Sequence, residues 1–426
     1  MLTKKQKMFF SLPLVFFLTA ALLFGFLLLS TLVPKEAIRP RMQTSAEYLC
    51  DGELFGAAVP GVLSSRIDRY ADSILLGIAW QYDRENALRS VLLSEYYHLP
   101  YQNENVNLRD AVTKDLPANQ QYLRYWHGSA GLVRILTSFL TLPQIYLWHG
   151  ILLGGLFLTL LIRLIRRRER ALGLGLLIGA VGITGPLVPL SLEYTWVFLI
   201  LLAQLHLLIS RRFPKTQEAL LVFFLVSGMV TNYLDFLTCE TLTLLVPLLV
   251  LLWIGRGQEN VSWKSLFFRA LSWLAGYAGM FLAKWLLAGA VMGENPFPYV
   301  LEHIEERTIG AAGDAGFFQE LLVAPFRNLA SVFPMGYGAL GTAIACAALL
   351  FAVYVGYVYR RKTCDKALLT RLAAVGAVPY LRYLALANHS YLHYFFTFRA
   401  QLAALLAAAL ILGELVERKG GRREKG

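Results

Sequence analysis

The chain has 426 residues, of which 57% are hydrophobic and only 16% charged, with a mean hydropathy of +0.52. A soluble protein carries roughly 25% charged residues, so the composition excludes an ordinary soluble fold and specifies a polytopic membrane protein. The net charge of +12 does not mark a nucleic-acid binder, because the excess sits in short clusters between hydrophobic stretches, as membrane orientation requires.

The N-terminal Lys4-Lys5-Gln6-Lys7 flanks an apolar run, Phe9 to Val33. That run, about 25 residues, exceeds the 7–15 of a signal-peptide core and reads as an uncleaved anchor. A transmembrane helix needs about 20 apolar residues. On that measure spans are predicted near 9–33, 143–162, 171–188, 190–209, 219–233, 238–254, 271–291, 336–358, 369–386 and 399–416. The fifth and sixth are short, and Gly182 to Pro189 is broken by glycine and proline. The expected class is thus an all-α integral membrane protein of about ten helices, with a range of about eight to eleven. The whole chain, 1–426, reads as one membrane domain: a first span, a loop over 34–142, a helix bundle over 143–416 and a basic tail over 417–426.

Lysine and arginine fix the orientation. The clusters Lys4 to Lys7, Arg163 to Arg170, Arg211-Arg212 to Lys215, Arg256 with Lys264 and Arg269, Arg360-Arg361-Lys362 and Arg418 to Lys425 all fall on one side. The other side receives Pro34 to Leu142, which is nearly charge-balanced, and Gly293 to Met335, which is acidic. The expectation is a plasma-membrane protein with both termini cytoplasmic. In the large loop, Ile67 to Leu76 and Glu85 to Leu93 have helical spacing, with Ser64 or Ser65 as a cap. Asn103 to Gln121 reads as irregular, and Leu132 to Leu140 as apolar and interfacial. Glycines 173, 175, 179 and 182 suit close helix packing. Cys50, Cys239, Cys346 and Cys364 have no metal or disulfide spacing.

Polar residues at membrane depth are costly and need a reason. Asp68 and Asp72 lie four apart, on one helix face, as a general base and a ligand would, or else as a solvated helix start partnered by Arg66 and Arg69. Asp235 sits in an outer turn, with Glu193 and Glu240 near the same level, lining a cavity or a wet turn. Lys284 and Arg382 lack a local acid; they either snorkel or meet a lipid phosphate. His389 and His393 have metal-ligand spacing but no third ligand. They are expected instead to order the outer face by hydrogen bonding with Asn388 and Arg399, while Trp126 and His127 close the site from the loop. No nucleotide loop, nucleophile elbow or zinc-protease motif is present.

This arrangement resembles the GT-C type of polytopic membrane glycosyltransferase. The likeness rests on a first span followed by a large loop with Asp68 and Asp72 at a helix start, on short acid-bearing outer turns, and on Lys284 and Arg382 at outer depth. Arg124-Tyr125-Trp126-His127-Gly128, Tyr233 to Thr238 and Asn388 to Arg399 resemble segments of uncharacterised bacterial members. The resemblance implies transfer of a sugar from a polyprenyl-phosphate donor to a lipid or glycan acceptor at the outer face, in cell-envelope polysaccharide or glycolipid assembly. It implies catalytic roles for Asp68, Asp72 and Asp235. Substrate contacts would come from Tyr70, Arg124, Trp126, His127, Glu193, Lys284, Arg382, Asn388, His389, His393 and Arg399. The acids lie further from the first span than is usual for the family. The resemblance fixes no cofactor and leaves a divalent cation (Mg or Mn) open; the bilayer is a partner and nucleic acid is not. A transporter or flippase of a lipid-linked saccharide, an outer-face polymerase or ligase, and a non-catalytic scaffold are the alternatives.

Overall fold

A computed structural model describes residues 4–256, 262–310, 316–361 and 363–416, with side chains from residue 11. The side chains of Lys4, Lys5 and Lys7, together with Lys362, the tail 417–426 and positions 311–315 of the acidic loop, lie outside the described residues. The architecture is all-helical: α1 (Lys4–Ser30), α2 (Lys35–Cys50), α3 (Arg69–Gln81), α4 (Ala87–Leu93), α5 (Glu104–Lys114), α6 (Gly128–Thr137), α7 (Leu142–Arg166), α8 (Arg170–Gly182), α9 (Thr195–Ile209), α10 (Gln217–Leu234), α11 (Leu242–Ile254), α12 (Trp263–Met292), α13 (Phe297–Thr308), α14 (Phe317–Ala330), α15 (Gly338–Val358), α16 (Lys366–Ala385), α17 (Ala387–Leu392), α18 (Tyr394–Thr397) and α19 (Leu402–Leu415). Among the described residues six stretches are long and apolar enough to cross a membrane: Ser11–Ser30, Leu142–Arg166, Gln217–Leu234, Trp263–Met292, Met335–Val358 and Tyr394–Leu415. The helices α8, α9 and α11 are apolar but shorter, and α16 carries Lys366, Arg371 and Arg382.

Residues 34–142 form a helical layer. Pro34 ends the first helix and precedes α2. The cap of α3 is Asp68, whose Oδ1 accepts from Ala71 N at 2.9 Å. It is not Ser64 or Ser65; Ser65 instead ties the turn at Val59 and Val62. The stretch expected to be irregular contains α5, capped by Asn103 on Val106 N. Its polarity misleads because Asn105 is buried and bonded to Leu49 O and Ser73, while Leu108, Ala111 and Val112 pack inward. Buried amides with partners are compatible with a helix that reads as polar.

Two cores result. One lies within α7, α8, α9, α11, α16 and α19; the other joins the layer α2–α6 to α1 and to the adjoining ends of α7, α10 and α12. Gly228 and Gly276 let α10 and α12 touch backbone to backbone, since a Cβ on either would meet the other helix's carbonyl. Gly175, Gly179 and Gly182 lie against Leu406, Leu402 and Leu405 on or beside α19, and Gly173 lies against Leu164. Polar contacts mark two ends, and a smaller buried network of Gln204, Ser227, Thr231, Thr243 and Trp273 lies within α9–α12. At one end, Arg361 meets Glu414, Trp253 meets Glu169 and Arg163 meets His206. At the other, the layer docks: Trp126 Nε1 donates to Met280 O at 2.7 Å and Thr184 Oγ1 to Ser64 O at 3.3 Å.

Candidate active site

A cavity of about 380 Å³ opens where the two cores meet. Its walls include Asp68, Tyr70, Arg124, His127, Glu193, His389 and His393, so seven of the sequence-selected residues converge there from four separate segments. Asp68 arrives as the cap of α3, whose first turn (Ala71, Ile74, Leu75) forms part of the wall. Glu193 arrives from the short link between the 3-10 turn Gly185–Leu190 and α9. Its backbone N–H is held by Ser191 Oγ at 3.1 Å.

The cavity lining carries charges of both signs. The carboxyl groups of Asp68 and Glu193 share a hydrogen bond and are both buried. A hydrogen bond between two carboxyl groups requires a proton on one of them. Burial pushes the Asp68 carboxyl up to about 6, opposed by the Ala71 N–H, by the bond with Glu193 and by the Arg399 guanidinium. Arg124 and Arg307 also line the cavity. Arg124 Nη1 lies 3.2 Å from His303 Nδ1, with its guanidinium over Tyr122. Arg307 Nη1 lies 3.2 Å from His393 Nε2. His303 Nδ1 also lies 2.9 Å from Glu306 Oε2. His393 is the acceptor toward Arg307; burial with the nearby Arg307 charge lowers it to about 3, so it stays neutral. His127 adopts a left-handed backbone, φ 52°, as the cap of α6, which turns its ring into the cavity between Tyr122 and Phe236. Burial, then Lys284, holds its imidazole well below the usual range. Phe55 and Tyr70, both partly exposed, stack at 5.9 Å on the rim.

The remaining sequence-selected residues frame the cavity without lining it. Asp72 does not share a cavity with Asp68. It lies beneath, accepting from Tyr146 Oη, from Leu192 N at 2.8 Å and from Ser191 Oγ at 3.3 Å. Burial raises its carboxyl to about 8. Arg66 and Arg69 are not its partners; Arg69 bonds Tyr48 O and Leu49 O. Asp235 caps its own turn through Leu237 N, Thr238 N and Thr238 Oγ1. That turn presents the neighbouring Phe236 to the cavity.

Lys284 does not snorkel. It is fully buried, donates to Val91 O at 3.0 Å, and sits over Trp126. Arg382 is not unpaired. It clasps Glu240 with two bonds, 2.7 and 2.9 Å, and donates to Leu237 O and Thr238 O. Asn388 bonds Gly310 O, and Arg399 packs over Tyr194 with Nη1 on Phe395 O. His389 Nε2 binds Leu237 O at 2.8 Å. Among the described residues no group of three or more His, Cys, Asp or Glu side chains is placed to hold a metal.

Arg307, Tyr122, Tyr125, Phe55 and Phe396 were not singled out by sequence. For Arg307 a signal existed: Tyr299, His303 and Arg307 recur every four residues, one face of α13 in an otherwise acidic segment. Comparison of the chain with protein-family models, curated proteins and solved structures gave no match.

Proposed function

We propose that the chain is a membrane glycosyltransferase that moves a sugar from a polyprenyl-phosphate donor to a lipid or glycan hydroxyl at the outer face. The observation that carries this is one cavity lined by both the Asp68–Glu193 carboxyl pair and the guanidinium groups of Arg124 and Arg307. In this reading Asp68 takes the proton of the acceptor hydroxyl as its oxygen attacks the anomeric carbon. The bond from that carbon to the phosphate oxygen breaks, and the electron pair leaves with the phosphate. Arg124 and Arg307 meet the charge that develops there, the role in which fixed cations are most effective. Glu193 holds the second carboxyl oxygen of the pair in place. Phe55 and Tyr70 offer a stacked aromatic platform for a sugar face at the rim. The volume falls in the range of about 300–1,000 Å³ usual for small-molecule sites.

The reading places ten crossings, both termini cytoplasmic and the layer 34–142 outside, in a plasma membrane. It assigns a framework role, not a phosphate contact, to Lys284 and Arg382. A transporter of the same lipid-linked sugar would need polar groups along a whole path; between the two ends the buried polar groups include Gln204, Ser227, Thr231 and Thr243, which bond one another rather than line a cavity. A polymerase or ligase would use the same chemistry on a glycan acceptor. The test is transfer of labelled sugar from a polyprenyl-phosphate donor in membranes, with Asp68→Asn and Asp72→Asn at matched expression. Loss of transfer with retained donor binding in Asp68→Asn alone is expected. Donor movement across the membrane without transfer in the unaltered protein would overturn the reading in favour of transport.

A further inference from the structure

The helix α14 turns its polar residues inward and its apolar ones outward. Phe318, Leu322 and Phe326 recur every four residues and are 77%, 66% and 70% exposed. Glu320, Ala324 and Asn328 each lie two residues further on, about 200° round the helix, and are buried. The charged residues of α14 are Glu320, on that buried face, and Arg327. Arg327 stacks at 4.3 Å on Tyr391 and on Tyr394, and its Nη1 donates to Tyr391 O at 3.0 Å. Asn328 donates to Ser390 O at 2.9 Å and accepts from Thr397 Oγ1 at 2.7 Å. The exposed residues are Phe318, Gln319, Leu322, Phe326, Leu329 and Ala330, apolar apart from Gln319 in the first turn. A helix on a water-facing surface has the opposite order, with charges out and the apolar stripe in. The order seen in α14 suits hydrocarbon surroundings, where polar groups must be satisfied by protein.

The apolar surface of α14 runs on into α15. Past Ala330 the chain exposes Phe333, Tyr337, Leu340 and Ile344 and enters Met335–Val358, a stretch apolar enough to cross a membrane and barely covered by the rest of the chain. On its inner side α14 packs on α16, α17 and α18. Of these, α17 with the residue after it brings His389 and His393 to the candidate cavity, and α18 brings Phe396. With 14 residues α14 rises about 21 Å, short of the roughly 30 Å of hydrocarbon, so it does not cross. We infer that α14 is immersed among the acyl chains of the leaflet on the candidate site's side. Part of the acidic segment between α12 and α15 is then a membrane element, not an aqueous loop. Continuity with the uncovered face of α15 favours lipid over a second copy of the chain as the occupant. The exposed stripe carries no charge to select a headgroup, so the contact is with hydrocarbon of any lipid class. The inference concerns how the molecule sits in the bilayer and does not rest on the transferase reading.

The experiment is electron paramagnetic resonance on the full-length chain, freed of its native cysteines and reconstituted in vesicles of phosphatidylcholine and phosphatidylglycerol. Nitroxide labels are placed singly at Phe318→Cys, Leu322→Cys and Phe326→Cys. These side chains are exposed, so labelling leaves the packing of α14 intact. Collisions are read with oxygen, which concentrates in hydrocarbon, and with a nickel chelate, which stays in water. Tyr101→Cys, on the helical layer, is the aqueous reference, and Leu349→Cys, midway along α15, is the lipid reference. The difference between the two references verifies that the chain is folded and inserted. All three labels are expected to lose the nickel collisions seen at Tyr101→Cys and to match the oxygen collisions at Leu349→Cys. Nickel collisions as frequent as at Tyr101→Cys would place the stripe in water and overturn the inference. Loss of both kinds of collision, with spin–spin broadening in fully labelled samples, would put a second copy of the chain on the stripe and overturn it as well.

Discussion

Asp68 and Asp72 differ in what surrounds them, and their variants separate a base from a scaffold. Asp68→Asn keeps the cap on Ala71 N but removes the base, so kcat is expected to fall by about 10²–10⁴ with donor binding intact. Asp72→Asn, beneath the cavity, is expected to cost less than about tenfold, since its three donors are positional. Because burial puts the Asp68 carboxyl at about 6, kcat/KM for transfer should fall with unit slope as pH drops below that value and level off above it. Stability at Asp72 runs against that activity profile. Its folded value of about 8 lies above the ordinary 3.8, so its stabilisation is complete below 3.8 and is lost as pH rises through about 8. Thermal scans should therefore show Tm declining across that window, and a flatter profile in Asp72→Asn. Arg124→Gln and Arg307→Gln should each weaken binding of the polyprenyl-phosphate donor about tenfold or more, as loss of a charged hydrogen bond does. The acids at the site were legible because intramembrane and near-membrane carboxylates are rare. The partition between Asp68 and Asp72 was not, because i,i+4 spacing says nothing when one residue is the cap and the other is in the helix.

At the scale of elements, hydropathy located the helices of the bundle well, since length and apolar content are local properties of the chain. What it could not locate were the clamps between elements, which depend on distant partners. Lys284 pins α12 to the end of α4 through Val91 O, at a sequence separation of 193. Nothing near Lys284 in sequence announces a carbonyl so far away, so a cation without a local acid resembles a phosphate ligand. The two roles give different variants. Lys284→Met keeps the volume and removes the charge with its desolvation cost, so it should leave donor KM unchanged and shift Tm little. Lys284→Ala opens a cavity beside Trp126 and should destabilise by about 2–5 kcal/mol, read as a lowered Tm in detergent. A raised donor KM in Lys284→Met would return Lys284 to the phosphate. Arg382 is the same kind of clamp: its bonds to Glu240, Leu237 O and Thr238 O close the turn that delivers Phe236. Short-range reading saw an acid and a cation and missed that they cancel.

For the whole molecule, the number of crossings turns on three short helices. Counting only helices long enough to span, α7, α10, α12 and α15 separate Tyr101 from Cys364, which is an even number and puts both on one side. Counting α8, α9 and α11 as well makes the number odd and puts them on opposite sides. A 13-residue helix rises about 20 Å, short of the roughly 30 Å of hydrocarbon. Yet α8 starts beside Glu169, which bonds Trp253 at one end of the bundle, and its last carbonyl, Gly182 O, accepts from Phe333 N at the other. The 3-10 turn that follows, with Pro186 and Pro189, makes up the depth under cover of protein, where irregular backbone is tolerated. The odd count is therefore expected. In an otherwise cysteine-free chain, Tyr101→Cys, 79% exposed on the helical layer, should react with a membrane-impermeant maleimide in intact cells, and Cys364 only after permeabilisation. Labelling of both from outside would mean that one or all three of the short helices turn back within the membrane. Labelling of Cys364 alone would invert the molecule and place the carboxyl pair of Asp68 and Glu193 on the cytoplasmic side, where a soluble sugar donor replaces the lipid-linked one.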